Sequence, residues 1–218
     1  RYNIALSNLL KAQDYAQKVG REDYRLRSIG EIARIYSLQG DHENAIEQAR
    51  YFYDQVKDGD NISQKSIALS YLSVEYMHFH NHDSSLFYLN KNLELEKTNP
   101  VFNPTALGAI YQNIASVYTE MDNSEQALRD FQTSLNYYQQ AGYLIGIAQT
   151  SLNIANELLR EGKYAEASLT IQEAVNGARY LGDLHLLREV YSLESEIYRR
   201  LGEYEKSLES FRNFKNVN

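Results

Sequence analysis

Apolar residues recur along this chain at three- and four-residue intervals rather than at alternate positions. Ile110, Ile114, Val117 and Tyr118 form one such run, and Ala127, Leu128, Phe131 and Leu135 the next. That spacing gathers the apolar side chains on one face of a helix, so the two runs predict two amphipathic helices separated by a short break. The pair returns along the chain. The stretch "IGEIARIYSLQGDHENAIEQA" from Ile29 aligns residue for residue with "YQNIASVYTEMDNSEQALRDF" from Tyr111 and "SLNIANELLREGKYAEASLTI" from Ser151. A small residue recurs at Ala5, Ala45, Ser85, Ala127, Ala167 and Ser207, with spacings of 40, 40, 42, 40 and 40. Tyr36, Tyr76, Tyr118, Leu158 and Tyr198 keep the same spacings nine residues upstream of the small residues. Two independent series in one register mean a structural repeat, and a period near 40 means a stacked array of helix pairs.

The breaks carry their own pattern. Between the two helices of a unit stands Gly40, Asp122, Gly162 or Gly202, a residue suited to a left-handed helix end, followed by polar residues able to start the next helix. Gly20, Gly142 and Gly182 are expected to end second helices in the same way. Two longer turns, "DGDN" at Asp58 to Asn61 and "TNPVFNPT" at Thr98 to Thr105, complete the series. The second holds both prolines and absorbs the two extra residues of the 42-residue spacing.

The stretch "MHFHNHD", Met77 to Asp83, sets three histidines at alternate positions and raises the question of a metal site. The repeat answers it. His80 falls where other units have Gly40, Asp122, Gly162 and Gly202, and His82 where they have His42, Ser124, Tyr164 and Tyr204. One inter-helix turn is expected here, with His80 in the left-handed region that histidine tolerates better than most residues. A zinc site needs three or four ligands converging at about 2.0 to 2.1 Å, and no metal and no cofactor are expected.

The order aromatic or apolar, large aliphatic, small, Tyr, Gly, small and aromatic resembles the tetratricopeptide repeat. It is clearest in Tyr111, Ile114, Ala115, Tyr118, Ala127 and Phe131, and in Ile154, Ala155, Gly162, Tyr164, Ala167 and Ile171. Helical HEAT arrays share the period but lack the Tyr, Gly and Ala positions. The resemblance implies an all-α fold, a right-handed superhelical solenoid of antiparallel helix pairs. It would form a single array over 1–218: a second helix of a truncated leading repeat at 3–19, then five repeats at 26–59, 66–99, 108–141, 148–181 and 188–218. Glu194 departs from the pattern at the position of Ile32, Leu72, Ile114 and Ile154. Either the fifth unit shifts onto Leu193, or the last helices form a polar cap. Tyr36, Tyr76, Tyr118, Tyr164, Tyr198 and Tyr204 are expected in the core. Tyr51, Tyr53, Tyr137, Tyr138 and Tyr143 lie off the repeat positions and are candidates for exposure.

Relatives of the longer-repeat kind bind peptides along their first helices, often through Asn-aliphatic-small-Asn. "NIAN", Asn153 to Asn156, matches that motif, and "NIAS", Asn113 to Ser116, matches three quarters of it. An amide supplies both a donor and an acceptor, as an extended backbone requires. The resemblance therefore implies a groove bearing Arg27, Arg34, Gln112, Asn113, Ser116, Gln149, Asn153, Asn156 and Arg160, with Ile67, Met77 and Leu152 as apolar contacts. Arginines beside amides suit an acidic or extended peptide.

Charge and composition narrow the partner. A net charge of -7 without a basic cluster argues against nucleic acid and against a membrane surface. The absence of cysteine removes disulfides, redox pairs and thiolate metal sites. No apolar run reaches the roughly 18 residues of a membrane span. The chain begins at Arg1 with no signal-like segment, and is expected to be an excerpt of a longer protein. Phosphate-loop, nucleophile-elbow and zinc-protease signatures are missing, so no enzyme is expected. The tail "YEKSLESFRNFKNVN" resembles the last repeat of bacterial regulators that carry such arrays as sensors. The expected function is a non-enzymatic protein- or peptide-binding module, the sensor or interaction region of a larger bacterial signalling or transcriptional regulator. The alternative is a stand-alone cytoplasmic adaptor or peptide-responsive regulator. Its partner would be a protein, a peptide or a neighbouring domain of the same chain. Either a periplasmic or a cytoplasmic location fits, and the oligomeric state is left open.

Overall fold

The computed structural model describes residues 2–217, so positions 1 and 218 of the expected array lie outside the described residues. Eleven helices and no strand form among the described residues. The chain divides into two compact units, residues 1–102 and 103–218. The first contains α1 (Tyr2–Lys18), α2 (Glu22–Leu38), α3 (His42–Val56), α4 (Ile62–His78) and α5 (His82–Lys97). The second contains α6 (Pro104–Glu120), α7 (Ser124–Ala141), α8 (Leu144–Arg160), α9 (Tyr164–Leu181), α10 (Leu184–Leu201) and α11 (Tyr204–Asn216). Within each unit consecutive helices pack on one another, and in the second α6, α8 and α10 also touch in succession. No described helix is long and apolar enough to cross a membrane.

The helix ends follow from the turn residues. His80 and Asp122 have φ of 54° and 56°, and Gly40, Gly162 and Gly202 have 74°, 75° and 79°. At each of these turns the next N–H reaches back to the carbonyl of the Tyr or Leu four residues upstream of the left-handed position. The bonds are Asp41 to Tyr36 at 3.0 Å, Asn81 to Tyr76 at 2.8 Å, Asn123 to Tyr118, Lys163 to Leu158 and Glu203 to Tyr198 at 2.9 Å. These bonds satisfy carbonyls that a helix end would leave unpaired. Asp41, Asn81 and Asn123 then cap the following helix by accepting from the N–H three residues on. One tripeptide thus closes a helix and opens its partner.

Each first helix begins four residues ahead of the motif read from the sequence: Glu22, Ile62, Pro104, Leu144 and Leu184 against 26, 66, 108, 148 and 188. The repeat motif covers only the helix interior. The longer period adds one turn at its front, started by Asn61, by Asn103 with Pro104 behind it, and by Asp183.

Ser85 Oγ donates to the Ser73 carbonyl at 2.8 Å, and Asn92 Nδ2, seven residues on, donates to the Ser66 carbonyl, seven residues back, at 3.0 Å. That symmetry about the turn makes α4 and α5 antiparallel. At the equivalent crossings Ala33 and Ala45, Ala115 and Ala127, and Ala155 and Ala167 are wholly buried. The second unit has one continuous core, with Phe131, Ile154, Ile171, Val190 and Ile197 in its interior. The first is built around Ile29, Phe52 and Ala68, beside Leu72 and Tyr76.

Three expectations change. Tyr138, a candidate for exposure, is 4% exposed, because Gly108 and Gly146 leave room for its ring. Tyr204, expected in the core, is 70% exposed on α11, which packs only on α10. Tyr36, Tyr118, Tyr164 and Tyr198 are half-buried, and of the six expected core tyrosines only Tyr76 is buried. At Glu194 the register does not shift. Gln172 Nε2 and Ser210 Oγ each donate to its carboxylate at 2.7 Å, and Ile197 behind it stays in the core. Glu194 is therefore a buried carboxylate satisfied by hydrogen bonds from α9 and α11.

Candidate functional site

The first helices of the second unit carry a polar stripe. On α8, Gln149, Asn153, Asn156 and Arg160 stand at i, i+4, i+7 and i+11 and so share one face. Ile154 and Ala155 between them point into the core, which fixes that face outward. Asn153 is half-buried, while Gln149 and Asn156 are exposed. On α6, Gln112, Asn113 and Ser116 are all half-buried.

Part of this stripe is already engaged. Gln112 Oε1 accepts from Thr150 Oγ1 at 3.2 Å, and Ser116 Oγ donates to the Gln112 carbonyl at 3.0 Å. Arg160 ties α8 to the turn after α6. It donates to Glu157 at 3.0 Å, to the Thr119 carbonyl at 3.3 Å and to Asp122 at 2.5 Å. Its guanidinium is therefore a structural bracket between α8 and that turn. The amides of Asn113, Asn153 and Asn156 have no hydrogen-bond partner among the described residues. Glu157 beneath them is 1% exposed, and its Oε2 has no hydrogen-bond partner among the described residues, nor has Thr119 Oγ1. In the first unit Arg34 is paired with Glu31 at 2.8 Å, and Arg27 is exposed. There Ile67 is exposed and Met77 half-buried, whereas Leu152 in the second unit packs against the core.

Asn156 also lines an open cleft of about 690 Å³ between α8, α10 and α11. Leu159, Leu193 and Phe214 supply its apolar surface, and His185, Arg188, Glu189, Ser192 and Glu196 its polar rim. A second cleft of about 460 Å³ shares His185, Arg188 and Phe214 and adds Lys215 and Val217. Arg199 and Arg200 hold the Glu196 carboxyl down at about 2, so it stays ionised and internally neutralised. The Arg188 guanidinium lies 5.6 Å and the Lys215 ammonium 5.8 Å from the Phe214 ring centre. The motif comparison overlooked Arg188, Phe214 and Lys215, although one signal was present. Arg188 occupies the register position of Leu26, Ser66, Gly108 and Ala148, all of them buried.

Of the histidines of the α4–α5 turn, His80 and His82 bring ring nitrogens within 4.8 Å of one another. His80 and His82 meet edge to face with ring centres 6.3 Å apart, while His78 lies beside His42 of α3 at 5.4 Å. His42 Nδ1 in turn sits 3.3 Å from the buried carboxylate of Glu75.

Residues 104–179 match the family model described as tetratricopeptide repeat. No curated protein matches the chain. Among solved structures it is similar to BtubC from P. vanneervenii, at 13% identity and a TM-score of 0.85 over 100% of this chain and 91% of that one. It is also similar to a Signal Transduction ATPase with Numerous Domains from Pyrococcus horikoshii that carries a tetratricopeptide repeat sensor. The identity is 23% and the TM-score 0.77 over 94% of this chain, which spans 31% of that protein. A third is a Rap protein complexed with competence and sporulation factor, at 16% identity and a TM-score of 0.74 over 99% of this chain and 70% of that one. At these identities the likeness is one of fold.

Proposed function

We propose that this chain, whose residues 104–179 match the tetratricopeptide-repeat model and whose fold is shared with tetratricopeptide-repeat structures, acts by binding an extended peptide or protein segment without chemistry of its own. The binding face is the polar stripe of α6 and α8, continued by the cleft beside α10. One observation carries this reading: the amides of Asn153 and Asn156 are one helical turn apart on the outward face of α8, without partners among the described residues, and Asn156 opens into the cleft. Two amides so placed can bracket a peptide unit, each giving a donor and an acceptor to backbone that would otherwise lose its water. Asn113 and Ser116 repeat the arrangement on α6, with Gln112, Gln149 and Arg160 flanking it; Arg27 and Arg34 belong to α2 of the first unit, where they are candidate contacts of their own.

The wider role is that of a sensor or interaction region in a larger bacterial signalling or transcriptional regulator. The similarity to a protein with a tetratricopeptide sensor and to a Rap protein in complex with a sporulation factor supports it. A stand-alone cytoplasmic adaptor or peptide-responsive regulator using the same face is the second reading.

A lysate pull-down with mass spectrometry, run on the wild type beside Asn153→Ala/Asn156→Ala with melts of both, tests the binding face. A partner held by the wild type and lost by an equally stable double variant supports it. A partner held equally by both moves binding elsewhere.

A further inference from the structure

The cleft between α8, α10 and α11 is unevenly neutralised. Glu189 has the imidazole of His185 3.4 Å away, a cation only when protonated, and Glu196 is answered from within by Arg199 and Arg200 at 2.6 and 2.7 Å. The two permanent cations along the paired clefts are not. Arg188 and Lys215 have no ion-pair partner among the described residues, although the chain carries a net charge of -7. Arg129, Arg160, Lys163 and Lys206 of the same unit are each paired with a carboxylate. Arg188 instead stands over the Phe214 ring, and Lys215 over both Phe211 and Phe214. Stacking occupies the face of a guanidinium and leaves its N–H edge to bind a planar acceptor.

Arg188 lines the larger cleft together with Leu159, Leu193 and Phe214, and Lys215 lines the adjoining one together with Leu184, Phe214 and Val217. Positive edges above an apolar floor fit a ligand that brings a carboxylate and an apolar side chain together. A cleft of about 690 Å³ falls in the range that encloses a drug-sized ligand, which is room for two or three side chains. We propose that Arg188, Lys215 and Phe214 form the specificity pocket of the groove, selecting a peptide in which an aliphatic or aromatic residue adjoins a carboxylate. The pocket rests on the peptide-binding reading above: Asn156 opens into the same cleft, so a backbone held by that amide delivers its neighbouring side chain to Arg188. The carboxylate is supplied either by an Asp or Glu side chain or by the peptide's C-terminus.

The test is selection of random nonapeptides displayed with free C-termini against three proteins: wild type, Arg188→Gln/Lys215→Gln and Asn153→Ala/Asn156→Ala. The wild-type pool should be enriched in peptides with a carboxylate beside Leu, Ile or Phe. The charge variant should lose that acidic bias while still enriching peptides. Resynthesised binders should lose roughly tenfold in affinity for the charge variant, about threefold per exposed cation, and should weaken with added salt on the wild type. Comparing free with amidated C-termini identifies the source of the carboxylate. A wild-type pool that favours neither Asp or Glu beside an apolar residue nor an apolar C-terminal residue, or binders indifferent to both salt and the charge variant, overturns the pocket. If those binders still depend on Asn153 and Asn156, the amide groove survives alone. A pool indifferent to both variants, or no enriched pool, sinks both readings.

Discussion

Ser195 and Ser207 exchange hydrogen bonds across the crossing of α10 and α11: Ser195 Oγ donates to the Ser207 carbonyl at 2.9 Å, and Ser207 Oγ to the Ser195 carbonyl at 2.8 Å. Such reach requires the two backbones to lie close. Alanine serves the same purpose at Ala115 and Ala127 and at Ala155 and Ala167, all 0% exposed. Since alanine pairs already occupy equivalent crossings, Ser195→Ala/Ser207→Ala should change stability by less than about 1 kcal/mol. Ala127→Leu has no room and should cost roughly 1 to 3 kcal/mol by overpacking. Thermal melts of the two variants check the contrast, and a melt of Ala127→Leu at the wild-type temperature would refute the close crossing.

Tyr138 predicts an inversion of the usual helix rule. Gly to Ala in a helix interior ordinarily gains up to about 1 kcal/mol. A Cβ at Gly108, however, would stand 2.8 Å from the Tyr138 ring. Gly108→Ala should therefore destabilise by roughly 1 to 3 kcal/mol. In a Tyr138→Leu background the same substitution should become neutral or stabilising. Denaturant titration of the double-mutant cycle measures the coupling, and equal effects in both backgrounds would show that the ring is not what excludes the Cβ.

Gly40 isolates the cost of the left-handed turn. Its φ is 74° and nothing stands within 4 Å of a Cβ placed there, so any loss comes from the backbone alone. Gly40→Ala should cost about 1 to 2 kcal/mol, and Gly40→Asn less, because Asn adopts this conformation more readily. Chemical unfolding of both variants should give that order.

Glu196 and Asp130 predict opposite pH dependences. Hydrogen bonds from Arg199 and then Arg200 lower the Glu196 carboxyl from 4.5 to about 2. The stability it contributes is present above its unfolded value near 4.5 and is lost as pH falls toward 2. Burial raises Asp130 above 3.8, an effect that its hydrogen bond from Gln126 only partly offsets. Its contribution is fully present below the unfolded value and is lost as pH rises through the folded one. Glu196→Gln should therefore soften the acid limb of the stability curve. Asp130→Asn should be neutral or stabilising at pH 7 and lose that advantage in acid. Denaturation midpoints between pH 2 and 7 decide both.

The helix pairs, their turns and the small residues at their crossings were legible in the sequence because each depends on spacing along the chain or on a local backbone need. His80 could be placed in a left-handed turn from its alignment with Gly40, and its φ of 54° agrees. The fate of the tyrosines could not be read in this way. Tyr138 is buried because Gly108 on α6 and Gly146 on α8 make room from either side, a relation between residues 30 positions apart in one case and eight in the other. Arg160 looked like a groove cation, yet its partners Thr119 and Asp122 are about 40 residues away.

The sequence by itself determined the alternation of helix and turn, and the helix boundaries to within about a turn. These follow from the 3.6-residue period and from the conformations open to each turn residue. Only the tertiary structure decided which polar groups remain free to bind. Whether Arg188, Asn156 or Arg160 has a partner depends on side chains brought alongside from other helices, and an unspent hydrogen bond or charge is a property of that neighbourhood rather than of the residue.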